Sequence, residues 1–415
     1  MTFPHPSGPA PSLGVALVRA REAACLTQDE LAVRSGLSVR AIRNLETGHT
    51  ARPRRQSLVL LAEALGLAPT EVGRLLRLPR GEQPPAPTGS SVPAELPPAP
   101  RHRLVGREEL ADELTGSLPG QGGPAVIVGP PGAGKTSLVL RTAHAARDRF
   151  PDGQVFVDLH PTSCLPFTSD QLVRRVLRSL GQAAGAQSPE EARARLRDAL
   201  SRRRVLVVLD NVVSEAQVRP LLVDGGRSAV LVAARRELPA LRGTSCRRIG
   251  TLGRRDAGRM LEELVGSART RAQRPAALDI VRYCGRLPLA LHIAGLWLTA
   301  RPHRSLRDLA DRLADERDRL GTLSVGDLSL RASVAAYYRP LSPPLRTSLH
   351  QLRHLTGGFG VEEMLARVTP SRRLAVDLLE ELLHRQMIQA GERDRDGRIR
   401  HHLHDAVRLY VTHGA

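Results

Sequence analysis

The sequence predicts a multidomain protein with an all-α module at its N-terminus, then an α/β domain built on a parallel sheet, then a largely helical region. Three features indicate this arrangement. A phosphate-binding-loop motif, G-x-x-x-x-G-K-[ST], follows the apolar run 125–128 and precedes a helical run. Strand-like and helical runs alternate up to about residue 250, which is typical of parallel sheets covered by helices. Residues 79–100 hold eight of the 31 prolines and predict an extended, unpacked linker.

The chain is strongly basic, with a net charge of +19. Such a charge is typical of proteins that bind a polyanion, although arginine-rich chains from GC-rich genomes also become basic without binding DNA. Hydrophobic residues make up 41% and aromatic residues only 2%, so leucine, valine and alanine must fill the cores. A length of 415 residues allows two to four domains.

The four cysteines are scattered, and none belongs to a C-x-x-C pair. This spacing favours reduced thiols and argues against a disulfide framework or a cysteine metal site. The sequence shows neither a basic-then-apolar leader nor an apolar run long enough to span a bilayer. We therefore expect a cytoplasmic protein that does not bind a membrane.

The N-terminal module contains helix start and stop signals at short spacing. Thr27 is placed to cap a helix, and Gly36 supplies the tight turn after it. Ser38 is placed to cap a second helix over 39–46. A further amphipathic helix is predicted around Leu58, Leu61, Ala62 and Leu65.

This pattern resembles the phage-repressor (XRE/Cro-like) helix-turn-helix family. The matching positions are Leu26-Thr27-Gln28, Leu31-Ala32, Ser35-Gly36-Leu37-Ser38, Ile42, Leu45-Glu46 and Gly48, where the second helix would stop. The resemblance implies a domain over residues 10–78 that binds double-stranded DNA, with the second helix in the major groove. The alternative is a helical bundle that contacts protein, although eleven arginines against six acidic residues in positions 1–80 favour DNA.

The same resemblance assigns DNA-contacting positions. Ser38 begins the recognition helix, and Val39, Arg40 and Asn44 would face base edges, because arginine suits guanine and asparagine suits adenine. The residues that would contact phosphates are Gln28, Arg43, Arg52 and Arg54.

The phosphate-binding loop contains the only lysine of the chain, Lys135. Glycines let backbone N–H groups surround phosphates, and the compact ammonium reaches the β- and γ-oxygens. The Thr136 hydroxyl would ligate Mg²⁺. An incidental lysine in a glycine-rich turn is the alternative. The predicted nucleotide-binding residues of the motif are Gly129, Gly132, Gly134, Lys135, Thr136 and Ser137.

The run Arg204 to Asn211 predicts the second element of this site. An apolar run that ends in Asp210 is typical of a Walker B strand, whose aspartate holds the Mg²⁺ shell. Lys135 and Asp210 are thus the predicted catalytic residues, with Thr136 and Asp210 as metal ligands. The predicted strands are 125–128, 154–159, 205–209 and 229–233, followed by two short strands at 387–390 and 398–403.

A series of motifs in fixed order resembles the NB-ARC class of STAND ATPases from residue 104 to 412. It is most similar to the bacterial subset related to SARP-type regulators. Besides the two motifs above, the series comprises Val105-Gly106-Arg107-Glu108, Val230 to Arg235, Cys284 to Leu291 and Leu403-His404-Asp405. The resemblance implies a nucleotide-binding domain at 103–250, a helical domain at 251–330 and a winged-helix domain at 331–415, after a linker at 79–102.

The NB-ARC resemblance also implies how ATP or ADP would be bound. Val105-Gly106-Arg107 would cover the adenine, and Pro288 would pack on the base. Arg235 would reach the γ-phosphate, whereas His404 would hold the β-phosphate of ADP and so close the molecule. Asn211 stands where many relatives have a second acidic residue, which predicts slow hydrolysis.

These features predict a nucleotide-switched, DNA-binding transcriptional regulator that is at most a slow ATPase and self-associates on activation. One alternative is a STAND-type stress or immune ATPase whose N-terminal domain recruits a protein. Another is a truncated or remnant product, because large relatives continue into repeat sensors and full SARPs have an activation domain.

Overall fold

The computed structural model describes residues 13–24, 26–46, 55–67, 92–100, 103–118, 123–159, 167–182, 188–223, 225–241, 243–355 and 358–414. Residue contacts divide the chain into two compact units. The first contains the N-terminal helices, and the second comprises 92–159, 168–324 and 329–415. Within the described ranges, every helix is too short or too polar to cross a lipid bilayer.

The first unit is all-α, as predicted, and its described helices are α1 (Leu13–Ala23), α2 (Gln28–Ser35), α3 (Val39–Glu46) and α4 (Arg55–Ala64). The capping predictions are confirmed. Thr27 Oγ1 accepts a hydrogen bond from the Glu30 amide at 3.2 Å, and Glu30 Oε2 accepts one from the Thr27 amide at 2.8 Å. Ser38 Oγ accepts from the Ala41 amide at 3.2 Å.

The core of the first unit explains the order of its helices. Leu31 of α2, Ile42 of α3 and Leu58 of α4 are each 1% exposed or less and belong to one apolar cluster. Gly36 turns the chain between α2 and α3 with φ of 72°, a left-handed conformation that glycine adopts without strain. Gly48, where the second helix was expected to stop, lies outside the described residues.

The second unit is built on a five-stranded sheet in which all neighbouring strands are parallel. The strand order is β2-β3-β4-β1-β5. Four strands confirm the prediction within a few residues, whereas β5 was not predicted because its sequence, Ser-Cys-Arg-Arg, is polar and lies at a sheet edge. The strands are β1 (Ala125–Val128), β2 (Gln154–Asp158), β3 (Leu206–Val212), β4 (Ala229–Ala234) and β5 (Ser245–Arg248).

One helix precedes the sheet and others connect β1 to β2, β2 to β3 and β3 to β4, and the apolar side chains of α6 pack on the sheet. They are α5 (Glu108–Ser117), α6 (Lys135–Ala145), α7 (Ser169–Ser179), α8 (Pro189–Arg202) and the short α9 (Glu215–Val218), with 3-10 turns at Arg147–Arg149 and Arg219–Leu221.

The predicted linker does not extend unpacked to residue 102. The Gln154 amide of β2 donates to Pro93 O at 2.7 Å, and the Glu95 amide donates to Gln154 O at 2.9 Å. Glu95 also pairs with Arg175 at 2.9 Å. This part of the segment therefore lies along the open edge of β2 and covers backbone groups that a sheet edge exposes. Residues 79–91 of the linker lie outside the described part of the chain.

The rest of the second unit is mostly helical, as predicted. The first group of helices is α10 (Arg254–Val265), α11 (Ser267–Ala272), α12 (Arg274–Tyr283), α13 (Pro288–Thr299), α14 (Leu306–Ala314) and α15 (Glu316–Thr322). Residues 325–328, which belong to the first unit, form parts of two short strands, β6 (Ser324–Val325) and β7 (Leu328–Ser329). The second unit continues with α16 (Leu330–Tyr338), α17 (Pro343–Leu352), α18 (Val361–Arg367) and α19 (Arg372–His384). The two predicted late strands are an antiparallel pair, β8 (Ile388–Arg393) and β9 (Ile399–Leu403), before α20 (Asp405–His413).

Candidate nucleotide-binding site

The loop between β1 and α6 has the geometry of a phosphate cradle. Gly134 caps α6 with φ of 87° and without a side chain, so the first amides of the helix face the loop. Gly129 lies so close to the neighbouring chain that a Cβ would stand 2.2 Å from Ile249 O. Only glycine fits there, so the sequence motif is required by packing as well as by phosphate chemistry.

Lys135 is a cation whose hydrogen bonds go to neutral partners. Its Nζ donates to Gly129 O at 2.8 Å and to Pro130 O at 2.9 Å. Burial lowers the pKa of Lys135 to about 7, with Asp210 opposing the shift and Arg235 adding to it. The Lys135 ammonium is partly desolvated and lies beside the amides at the N-terminus of α6. Both groups attract an anion, so phosphate fits this set of donors.

Thr136 and Asp210 meet although they are 74 positions apart. Thr136 Oγ1 donates to the two carboxylate oxygens of Asp210 at 2.9 and 3.1 Å. Burial raises the pKa of Asp210 to about 6, and the Asp158 charge adds to the effect. A hydroxyl and a carboxylate are hard oxygen ligands, so this pair fits Mg²⁺ brought with phosphates.

Arg235, which follows β4, reaches the same edge of the sheet. Its guanidinium donates to Asn211 Oδ1 at 3.0 and 2.9 Å and to Ala336 O at 3.0 Å. Asn211 has φ of 62° and donates from Nδ2 to Asp158 Oδ1 at 2.8 Å. The polar side chains meet here because parallel strands present their carboxyl ends at one edge.

The start of α13 packs against the loop. The Leu289 amide donates to Gly132 O at 3.1 Å, and a Cβ on Gly134 would lie 3.6 Å from Pro288 Cβ. Pro288 therefore stands beside the residues that precede Lys135. Arg286, two residues earlier, has φ of 55°, a left-handed conformation in which glycine is the unstrained residue.

The segment Val105-Gly106-Arg107 lies at the start of α5, close to the loop. Val105 is buried, and a Cβ on Gly106 would stand 2.8 Å from the Asp256 side chain. Arg107 Nη2 donates to Gly250 O at 2.5 Å, next to the Ile249 carbonyl that abuts Gly129. In the described part of the chain, the buried Nε of Arg107 has no hydrogen-bond partner.

His404 immediately precedes α20 and is 6% exposed. Burial, together with the charge of Lys135, lowers the pKa of His404 to about 4. The imidazole is therefore neutral at pH 7. The charge of Lys135 thus reaches His404, so the C-terminal motif and the phosphate-binding loop lie close enough to interact.

Tyr337 of α16 is the site residue that the sequence reasoning missed. Its ring lies 5.1 Å from Lys135 Nζ and 5.6 Å from the Arg235 guanidinium carbon. The rarity of tyrosine, four in 415 residues, was the only signal in the sequence. Of the remaining predicted positions, Ser137 is partly buried in the first turn of α6.

The first unit presents polar residues on one face of α3. Ile42 and Leu45 face the core, whereas Arg43 and Ser38 are exposed and Val39 and Asn44 are partly exposed. The side chain of Arg40 and the whole of Arg52 and Arg54 lie outside the described residues.

Gln28, predicted to contact phosphate, makes contacts within the first unit. Its amide donates to Glu46 at 2.7 Å and accepts from Arg43 Nε at 3.4 Å. Arg21 also pairs with Glu46, at 2.6 Å. Gln28 therefore links the end of α3 to α2 and orients Arg43.

Two stretches of the chain match known families. Residues 103–316 match the AAA ATPase domain family, and residues 17–72 match the helix-turn-helix family. The regulatory protein AfsR of Streptomyces griseus is 36% identical over 372 residues, which cover 85% of this chain and 37% of AfsR. AfsR of Streptomyces coelicolor is 35% identical over 336 residues, which cover 78% and 33%. The chain thus spans little more than a third of the length of these relatives.

The fold is also similar to a solved structure, a Walker-type ATPase of Pyrococcus abyssi. The TM-score is 0.50 at 15% identity, and the match covers 76% of this chain and 97% of that one. At this identity the similarity shows the P-loop ATPase fold alone. The family match at 103–316 spans more than half of the 415 residues. The chain therefore belongs to the AAA ATPase domain family and has a helix-turn-helix domain at its N-terminus.

Proposed function

We propose that this chain is a DNA-binding transcriptional regulator whose ATPase domain binds ATP or ADP with Mg²⁺, and whose nucleotide state controls conformation or self-association. One observation supports the proposal most directly: Thr136 bonds Asp210, and the charge of Asp210 acts on Lys135. The same chain also has a helix-turn-helix domain. The relatives named AfsR are regulatory proteins.

In this proposal the loop holds the phosphates. The N-terminal amides of α6 and Lys135 bind the β- and γ-phosphates, and Thr136 and Asp210 hold Mg²⁺, which neutralises phosphate charge. Val105-Gly106-Arg107 covers the adenine, which the unpartnered Arg107 Nε supports. Pro288 packs on the base, as its contact with the loop supports.

The nucleotide would bind residues of the sheet and of the C-terminal elements at the same time and so hold them together. Arg235 binds the γ-phosphate and His404 the β-phosphate of ADP, and the interaction of His404 with Lys135 supports this pairing. ATP then favours the arrangement in which Arg235 binds the γ-phosphate, and ADP favours the arrangement in which His404 binds the β-phosphate. The finer class is NB-ARC (STAND), related to SARP-type regulators, with a winged helix formed by the last helices and the β8–β9 pair.

ATP hydrolysis in this proposal is slow, and its rate sets how long the chain stays in the ATP-bound state. Asn211 has no carboxylate to orient water, and its amide already bonds Arg235 and Asp158. The chain would remain in one nucleotide state long enough for assembly on DNA. Joining several weak helix-turn-helix domains in one assembly then raises the affinity for an operator.

The recognition helix is α3. Val39, Arg40 and Asn44 read base edges after Ser38 begins the helix, and Arg43 contacts phosphate. Arg52 and Arg54 are the other proposed phosphate contacts, whereas the bonds of Gln28 to Glu46 and Arg43 support a role in orienting Arg43.

The experiment that tests the function maps bound genomic DNA for the wild type and for Lys135→Ala. We expect discrete sites for the wild type and a changed occupancy for the variant. Identical occupancy would refute nucleotide control. Weak binding without sequence preference and with little salt dependence would instead support an N-terminal domain that recruits a protein.

A further inference from the structure

One aromatic ring lies against both cations that the proposed function assigns to phosphates. Tyr337 faces Lys135 Nζ at 5.1 Å and the Arg235 guanidinium at 5.6 Å, both within the range of cation–π attraction. Its hydroxyl is 3.5 Å from Gly129 O, one of the two carbonyls that Lys135 also bonds. The ring thus occupies part of the space in front of the loop.

Helix α16 is anchored on the loop at both ends. Near its start, Leu330 Cδ1 lies 3.4 Å from the position that a Cβ on Gly132 would take. Near its end, Tyr337 contacts Lys135, and the carbonyl of Ala336 accepts from Arg235. In the proposal developed below, a ligand displaces the ring by moving the end of α16, which would also break the bond from Arg235 to Ala336 O.

In the proposed function, ADP requires Lys135, whereas a third phosphate requires Lys135 and Arg235 together. The ring of Tyr337 lies against these two cations and is their shared partner. We propose that Tyr337 is the residue that discriminates between nucleoside diphosphate and triphosphate, because its ring competes with the γ-phosphate for Lys135 and Arg235. This inference rests on the proposed function and adds a specificity residue to it.

The neighbouring residue shows where the displacement would be transmitted. Tyr338 faces away from the loop, with its ring 5.3 Å from that of Tyr410 and its hydroxyl 3.0 Å from His350 Nε2. Tyr410 belongs to α20, the helix that His404 precedes. Movement of α16 by a γ-phosphate would therefore shift the same helix that His404 would attach to ADP.

The test compares the affinities of the full chain for ADP and for a non-hydrolysable ATP analogue by titration calorimetry. Tyr337→Leu removes the aromatic face, and we expect the ratio of ATP-analogue to ADP affinity to rise about tenfold. Tyr337→Phe keeps the face and should stay near the wild-type ratio. Tyr283→Phe, which removes a hydroxyl that accepts a hydrogen bond from Arg282 at 3.0 Å outside this site, is the control and should leave the ratio unchanged.

A second measurement on the wild type does not depend on the folding of a variant. Hydrogen exchange in 330–338 should be faster with the ATP analogue than with ADP. Equal exchange in both complexes, or an unchanged ratio in a folded Tyr337→Leu that binds both nucleotides, would overturn the role of Tyr337 alone. If the wild type binds neither nucleotide, the proposed function fails and this inference fails with it.

Discussion

Asn211 Oδ1 accepts two hydrogen bonds from the guanidinium of Arg235, one from Nε at 3.0 Å and one from Nη2 at 2.9 Å. The same asparagine donates to Asp158 at 2.8 Å, so a residue at the end of β3 links the ends of β2 and β4. Arg235 is only 7% exposed, and burial lowers its pKa. The neutral amide therefore orients a buried cation without neutralising it, which leaves its charge available to a phosphate.

Replacing Asn211 by glycine tests this link. The backbone φ of 62° suits glycine, so the change removes the amide without adding strain. We expect the free energy of unfolding to fall by about 1 to 3 kcal/mol, because a buried charged donor loses its acceptor. Urea denaturation would measure the change. In an Arg235→Met background the same substitution should cost much less, and an equal cost in both backgrounds would contradict the pairing.

Lys135→Ala should weaken ADP and ATP binding about ten- to a hundredfold, since it removes charged hydrogen bonds to phosphate. Lys135→Arg should fail similarly, because a planar guanidinium cannot replace a compact ammonium held between Gly129 O and Pro130 O. Calorimetric titration would measure both. Arg141→Ala, an exposed change of equal charge on α6, is the control. Wild-type affinity in Lys135→Ala would exclude the loop as the site.

Thr136→Val should remove the gain in nucleotide affinity that Mg²⁺ provides, because valine keeps the shape of threonine but has no hydroxyl for the metal. Thr136→Ser retains the hydroxyl and should retain most of that gain. The quantity to measure is the ratio of ADP affinities with Mg²⁺ and with a chelator. A ratio in Thr136→Val equal to that of the wild type would argue against Thr136 as a ligand.

His404 predicts a pH dependence of stability. An unfolded histidine takes up its proton near pH 6.5, but His404 in the folded chain does so at about pH 4. Between these values the unfolded state binds more protons, so stability falls as the pH falls from 6.5 to 4. The loss from this residue amounts to roughly 3 kcal/mol at pH 4.

Denaturation of the wild type and of His404→Gln at pH 7, 5.5 and 4 would measure this contribution. The glutamine variant should lose less stability on acidification, since it has no proton to gain. His303→Gln replaces an exposed histidine and should follow the wild type. If the free energy of unfolding fell equally with pH in His404→Gln and in the wild type, His404 would not be buried as a neutral imidazole.

Substitutions on the exposed face of α3 should weaken DNA binding in two different ways, one that depends on the DNA sequence and one that does not. Asn44→Ala should cost about 1 to 3 kcal/mol on the best site and relax the preference at one base pair. Arg43→Ala should weaken all sequences alike and reduce the salt slope by about one. Binding to a selected DNA pool at several salt concentrations would separate them. Arg301→Ala, an equal charge change in the other unit, should alter neither the site preference nor the slope.

Much of the fold could be predicted because its signals are local. Thr27, Gly36 and Ser38 act through hydrogen bonds and dihedrals within a few residues, so the helices of the first unit follow from the residues themselves. Strands β1 and β4 are apolar along their whole length, and β3 is apolar up to Asp210. The polar edge strand β5 and the docked residues 93–97 had no such signal, because their pairing depends on a neighbouring strand far away in the sequence.

The sequence by itself determined the motif around Lys135, the Walker B aspartate and the helix-turn-helix pattern, since each depends on short spacings and on the chemistry of single residue types. Only the tertiary structure decided that the Thr136 hydroxyl bonds the Asp210 carboxylate directly, that Asn211 orients Arg235 and that Tyr337 covers Lys135. The physical reason is that these contacts join residues from 24 to more than 200 positions apart, so the order of the strands and the packing of α16 on the loop bring them together.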